Sequence, residues 1–160
     1  MRDQLIVILH NIRSLHNVGS VLRTADGAGI GKVYMTGYTP SPVDEMGRIR
    51  KEIAKTALGA ESSVAWEHIA DVGRLIAKLK KEGFSIVSLE QDDDAVDYRV
   101  FQPTFPLALI AGNEVRGLSK VLLEKADASV MIPMRGKKES LNVSVAVAIA
   151  LYRLTDTRPI

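Results

Sequence analysis

The chain has 160 residues, a formal net charge of +2 and no cysteine. That length suits one domain burying about 70% of its unfolded surface, and the near-balanced charge excludes a histone-like polycation while leaving room for a local basic patch. Disulfides, thiolate metal sites and thiol nucleophiles are excluded outright.

The opening MRDQLIVILHN carries only a short apolar run and no small-residue cleavage site. Neither a signal peptide nor a membrane anchor is expected, and the cytoplasm is the expected compartment. No repeat, low-complexity tract or linker divides the chain, so 1–160 reads as a single domain.

Residues 5–10 (LIVILH) are a continuous apolar run, the pattern of a strand buried on both faces of a parallel sheet. A polar segment follows at 11–17, and then a helix over 18–26 with Asn17 as its N-cap. Glycines at 27, 29 and 31 end it, and KVYMTG (32–37) is the second strand, completing a right-handed βαβ unit. Periodicity then fails from 38 to 63, where Pro40 and Pro42 mark a loop. Within it Arg48, Arg50, Lys51 and Lys55 read either as a solvated surface or as a patch that tracks phosphates.

Residues 67–81 have the spacing of an amphipathic helix, with Ile69, Val72, Leu75, Ile76 and Leu79 on one face, and Gly83 stops it. FSIVSLE (84–90) is a third strand. Asp92, Asp93 and Asp94 read as a loop and helix cap, since consecutive carboxylates point in different directions and make a poor metal site. PLALIAG (106–112) is a fourth strand, a helix is expected over 119–125, and ASVMIPM (128–134) is the fifth strand.

The last helix, from 142 to 154, has almost no polar face. At 1.5 Å per residue it is only about 20 Å long, too short for a bilayer core of about 30 Å. Part of it is therefore expected to face a second subunit. The alternation of strands and helices predicts an α/β domain with a mainly parallel sheet flanked by helices. Ligands in such sheets sit beyond the C-terminal strand ends, here Glu90, Gly112 and Pro133.

The common enzyme templates fail. The G-x-G at Gly29 and Gly31 precedes a strand rather than a helix, no Walker-type lysine loop is present, and no serine sits on a nucleophile elbow. His10, His16 and His68 lack metal-ligand spacing, so no metal is expected. What remains is polar residues at strand and helix ends: Asn17 and Arg23, Glu114 and Arg116, Ser140 and Asn142. Each has a structural reading: Asn17 a helix cap, Arg23 a partner of Asp26, Glu114 a partner of Arg116, Ser140 or Asn142 a helix start. The residues alone reach an α/β domain with an anionic-ligand or nucleic-acid site.

Three segments, HNVGSVLRTADGAG (16–29), LIAGNEVRGLS (109–119) and IPMRGKKESLNVSVA (132–146), together resemble the motifs of the SpoU family, the RNA ribose 2′-O-methyltransferases of the SPOUT class. The resemblance spans nearly the whole chain. It implies a deep C-terminal trefoil knot, S-adenosylmethionine as cofactor, and a homodimer whose interface includes the last helix. By motif, the backbone around Leu89, Gly112, Ile132, Met134 and Leu141 would hold the cofactor. Arg23 matches the family's catalytic arginine, and Asn17, Glu114, Ser140 and Asn142 match the polar residues around it.

The implied reaction moves a methyl group from the sulfonium to a ribose 2′-hydroxyl. Because an arginine stays protonated, Arg23 suits holding the adjacent phosphate and stabilising the developing alkoxide. The proton then leaves through water, with His16 or Glu114 as candidates to help. A 2′-hydroxyl target makes the substrate RNA, either tRNA or rRNA. Arg48, Arg50, Lys51, Lys55, Lys137 and Lys138 are the candidate backbone contacts, with Arg13 and Arg116 beside them. Two other readings stay open: a catalytically silent RNA-binding or assembly protein, and a base methyltransferase of the same class. No RNA-binding extension is expected before Leu5 or after Leu154.

Overall fold

In the computed structural model, which describes residues 4–158, seven strands form one sheet. They are β1 (Leu5–His10), β2 (Lys32–Thr36), β3 (Ala65–Ile69), β4 (Ser85–Leu89), β5 (Val96–Asp97), β6 (Leu107–Ala111) and β7 (Ala128–Met131). All pair in parallel, in the order β3-β2-β1-β6-β4-β7-β5. Residues 1–3 and 159–160, which the single-domain reading of 1–160 includes, lie outside the described residues.

The continuous apolar runs have a direct cause. Alternate residues of each strand face opposite sides, and both sides are covered. Leu5, Val7 and Leu9 of β1 pack with helices α1 (Leu15–Gly27), α2 (Lys51–Ala57), α3 (Ala60–Ser63) and α6 (Val143–Asp156). Ile6 and Ile8 face the other layer, built from α4 (Val72–Lys81) and α5 (Lys120–Lys125). The segment 98–105 lies along the C-terminal helix: Tyr98, Phe101 and Phe105 pack on the same core as α6, and the Arg99 carbonyl accepts from Arg153 Nη2 at 3.1 Å.

The structure corrects several boundaries. The amphipathic segment 67–81 is two elements, the edge strand β3 and then α4, capped by Asp71, whose side chain accepts from Arg74 N. Glu67 and His68 belong to β3, and Glu67 pairs with Lys32 of β2 beside it. The aperiodic stretch 38–63 contains α2 and α3, two short helices whose Ile53, Ala57 and Ala60 are buried against the α1 layer. The helix after β1 begins at Leu15, and its cap is Ser14, which accepts from Asn17 N; Asn17 is inside the first turn. No helix follows Asp92–Asp94, but the two-residue strand β5 does. The fifth expected strand ends at Met131, three residues early.

The α1 layer depends on Gly19. A Cβ there would overlap Thr56 Oγ1 and the Ile53 carbonyl, and would lie 3.0 Å from Ala57 N, so α2 crosses α1 backbone against backbone. Gly19→Ala is therefore expected to destabilise the fold by about 1–3 kcal/mol, the usual cost of overpacking. Urea denaturation checks this: the midpoint should fall while the slope stays unchanged.

Candidate active site

Strand order reverses around β1. The chain passes from β1 outward to β2 and β3, while β6 enters on its other side. The loops after β1 and β6 thus meet at a switch point, where open α/β sheets bind ligands. Asn11, just beyond β1, is in the left-handed region at φ 55, a conformation asparagine tolerates better than most residues. Its Oδ1 accepts from Tyr38 N at 3.1 Å. This turn aims the next amides at the β6 loop.

Glu114 receives them. Its carboxylate accepts from Arg13 N at 3.1 Å, Ser14 N at 3.0 Å and Asn17 Nδ2 at 3.2 Å. Asn17 Oδ1 in turn accepts from Asn142 Nδ2 at 3.2 Å, and Asn142 Oδ1 caps α6 by accepting from Ser144 N and Val145 N. Because Ser14 caps α1, the Asn17 side chain is free to bridge. Burial pushes the Glu114 carboxyl up, but the N–H groups of Ser14, Glu114 itself and Arg13, with the Asn17 amide, outweigh it and hold it below its ordinary value. An ionised carboxylate with this many donors is a fixed acceptor rather than a base.

The β6 loop is braced from within. Asn113 is buried; its Nδ2 donates to the Asn11 carbonyl and to Tyr38 Oη, both at 3.0 Å, while its Oδ1 accepts from Val115 N and Arg116 N. On the far side Glu90, at the end of β4, accepts from Leu118 N at 2.8 Å. Its carboxylate lies so close to Gly117, at φ 64, that a side chain there would be excluded by both space and backbone.

A cleft of about 280 Å³ opens beside this loop. Its apolar wall is Leu89, Ile132, Leu141, Val143 and Ala146, and its polar groups include Glu90, Gln91, Glu139 and Ser140. The three strand ends beyond β4, β6 and β7 converge on it. Of the residues expected to hold a cofactor, Leu89, Gly112, Ile132 and Leu141 line the cleft and Met134 does not. A nucleoside with a charged, flexible tail fits such a wall: aliphatic side chains cover the ring, and the Leu141 N–H and carbonyl, without partners among the described residues, can read its edge.

The remaining expected residues divide. Asn17, Glu114 and Asn142 form one hydrogen-bonded chain, and Ser140 sits in the cleft wall. Arg23 stands apart: it is exposed, and it makes no hydrogen bond or ion pair among the described residues. Asp26, its expected partner, accepts instead from Ser63 Oγ. At about 100° per residue, the six positions from Asn17 turn Arg23 roughly 120° away around α1, so the two do not present donors together. Glu114 does not pair with Arg116. Arg48 is bound by Asp44 at 2.8 Å, whereas Lys51, Lys55, Lys137 and Lys138 are exposed and make no ion pair among the described residues. Sequence reasoning missed Asn11, Ser14, Tyr38 and Asn113, although Asn113 is the first polar residue after β6, where a braced loop is needed. Among the described residues no three potential metal-binding side chains gather, and no helix is long and apolar enough to cross a membrane.

The sequence and the fold are similar to those of known proteins. The SpoU rRNA Methylase family model matches residues 4–152, and the chain belongs to that family. Its fold is the α/β knot of the SPOUT class, as the sequence resemblance implied. A putative TrmH family tRNA/rRNA methyltransferase of Staphylococcus haemolyticus is 34% identical over 153 residues, covering 96% of this chain and 59% of that protein. The chain thus spans about three fifths of the length of the curated relatives it matches. The AdoMet-bound rRNA methyltransferase of Sinorhizobium meliloti superposes with a TM-score of 0.84 at 28% identity, covering 94% of this chain and 55% of that one. An RNA 2′-O ribose methyltransferase gives a TM-score of 0.84 at 27% identity, covering 98% and 57%.

Because the folded Glu114 carboxyl lies below its ordinary 4.5, its contribution to stability is present above that value and is lost as pH falls through the lowered one. Glu114→Gln should lower stability at pH 7 and flatten its decline in that acidic window. Thermal denaturation of both proteins between neutral and acidic pH measures the difference.

Proposed function

We propose that the protein transfers a methyl group from S-adenosylmethionine to a ribose 2′-hydroxyl of tRNA or rRNA. The observation that carries this is the chain Glu114–Asn17–Asn142 standing beside the 280 Å³ cleft, which joins all three motif segments at one place. The similar proteins that bind AdoMet or act on RNA ribose support the same reading.

The cofactor supplies an electrophilic methyl on a sulfonium, a good leaving group needing little help from the protein. In this reading Leu89, Gly112, Ile132 and Leu141 hold it, and the protein's own task is to place an oxygen in line with that methyl and to assist loss of its proton. Asn17 and Asn142 fix the polar edge of the site. Glu114, already saturated with donors, orients Asn17 and takes no proton. Arg23 neutralises the phosphate next to the target ribose and stabilises the alkoxide as it forms, while the proton passes to water, with His16 exposed one residue before Asn17.

Arg23 turns away from Asn17 within one chain, and this is accommodated by a homodimer in which α1 and α6 of two copies meet. Supporting it, Val145 and Tyr152 on α6 are 46% and 52% exposed, apolar surface on a helix whose other face is core. Lys51, Lys55, Lys137 and Lys138 are free to follow an RNA backbone. A silent RNA-binding protein would not need Arg23, which is exposed and makes no hydrogen bond or ion pair among the described residues, and a base methyltransferase would leave label on the base.

Arg23→Ala is expected to lower methyl transfer about 10²–10³-fold while cofactor binding is retained. Transfer from labelled S-adenosylmethionine to bulk tRNA and to ribosomal RNA, followed by nuclease digestion, checks both rate and position. Label on a base, or full activity in Arg23→Lys, overturns the mechanism. Val145→Glu should convert a dimer to a monomer in sedimentation equilibrium and abolish transfer with it. A variant still dimeric and active would remove α6 from the interface.

A further inference from the structure

A second groove, of about 690 Å³, lies on the other side of the β6 loop. Arg13, Arg50 and Arg116 line it with Tyr38, Asn113 and Val115, and no carboxylate shares the lining. None of the three arginines makes an ion pair among the described residues. Arg50 Nε is moreover buried without a hydrogen-bond partner, the one such side-chain atom among the described residues. Burying part of a guanidinium unsatisfied is costly unless a ligand completes it. Three arginines line one groove and outnumber the carboxylates at its edge, Asp44 near Arg50 and Glu114 against the Arg13 amide, so the groove is an anion site, and their planar forks match phosphate oxygens.

Tyr38 gives the groove a second character. Its hydroxyl accepts from Asn113 Nδ2, which fixes the ring, yet the residue remains 57% exposed. A tethered aromatic ring with an open face is a stacking platform for a base. The groove and the cleft share Asn113, Val115 and Arg116 as a common wall.

We propose that this groove is a nucleotide subsite, in which Arg13, Arg50 and Arg116 hold an RNA phosphate and Tyr38 stacks the base attached to it. An RNA strand seated there passes along the loop that carries Glu114 and reaches the methyl-transfer site from its side. The inference rests on the RNA reading above.

The test is titration of bulk tRNA into the full chain at several salt concentrations, with S-adenosylmethionine binding measured in parallel. Arg50→Met should weaken RNA binding about tenfold and make the slope of log K against log salt shallower by about 0.7–0.9, one phosphate contact. Arg13→Met, at an exposed side chain, gives the same readout without disturbing the core. Tyr38→Leu should lose about fivefold or more with the slope unchanged, and Tyr38→Phe should retain the affinity. Cofactor binding should stay as in the wild type in the Arg50 variant, since Arg50 does not line the cleft. An unaltered salt slope in both arginine variants overturns the subsite. So does a changed oligomeric state in Arg13→Met, which would make the groove a contact between copies. If the wild type transfers no methyl group yet the arginine variants change the slope, the subsite stands and the reaction falls. If transfer is normal and the slopes are unchanged, only the subsite falls.

Discussion

A carboxylate surrounded by main-chain amides joins parts of this chain that are about a hundred residues apart. Glu114 holds the amides of Arg13 and Ser14, and through Asn17 it reaches Asn142 at the start of α6. Glu114 gains these donors only when the segment after β1 meets the β6 loop, and Asn17 gains Asn142 only when the start of α6 is in place. The loop after β6 has no regular structure of its own, and it is rigid because its acceptors are satisfied: Asn113 from inside, Glu90 from the β4 side, Glu114 from the β1 side. The site is therefore a product of completed folding, and its precision follows from the number of short polar contacts rather than from burial.

The sheet beneath explains where such a loop can exist. Apolar runs of five or six residues, covered on both faces, leave the strand ends as the place where polar groups can face solvent. At the β1/β6 junction two of those ends are neighbours, and the turn at Asn11 brings their loops into contact. The C-terminal helix is anchored from the same point, since Asn142 both caps α6 and closes the polar chain.

Much of this was legible in the residues. Strands such as LIVILH and LALIA announce themselves because double-sided burial leaves no room for polar positions. The edge strand β3 does not: AWEHI is largely exposed, and its end runs into the apolar spacing of α4, so periodicity alone fuses the two. Helices α2 and α3 are hidden because they are short and are held by packing on α1, α2 at Gly19 and α3 through the buried Ala60, rather than by their own amphipathic pattern. Asn17 looked like a cap because it stands near a helix start; Ser14, three residues earlier, does that work. The partners of Glu114 are amides, which carry no sequence signal, and chain threading leaves no periodicity at all. The knot came from motif resemblance, not from physics applied to the residues.

The wall formed by residues 113–116 separates the cleft from the arginine groove, and it is one segment wide. Whatever adjusts its position on one side does work on the other. Thermodynamic linkage makes that work mutual: if a ligand in the cleft stiffens the wall in the form the groove requires, affinity in the groove rises by a factor that is returned in full when the order of binding is reversed. Two chemically unlike ligands, one in the apolar-walled cleft and one anionic in the groove, would then be coupled with no moving domain between them.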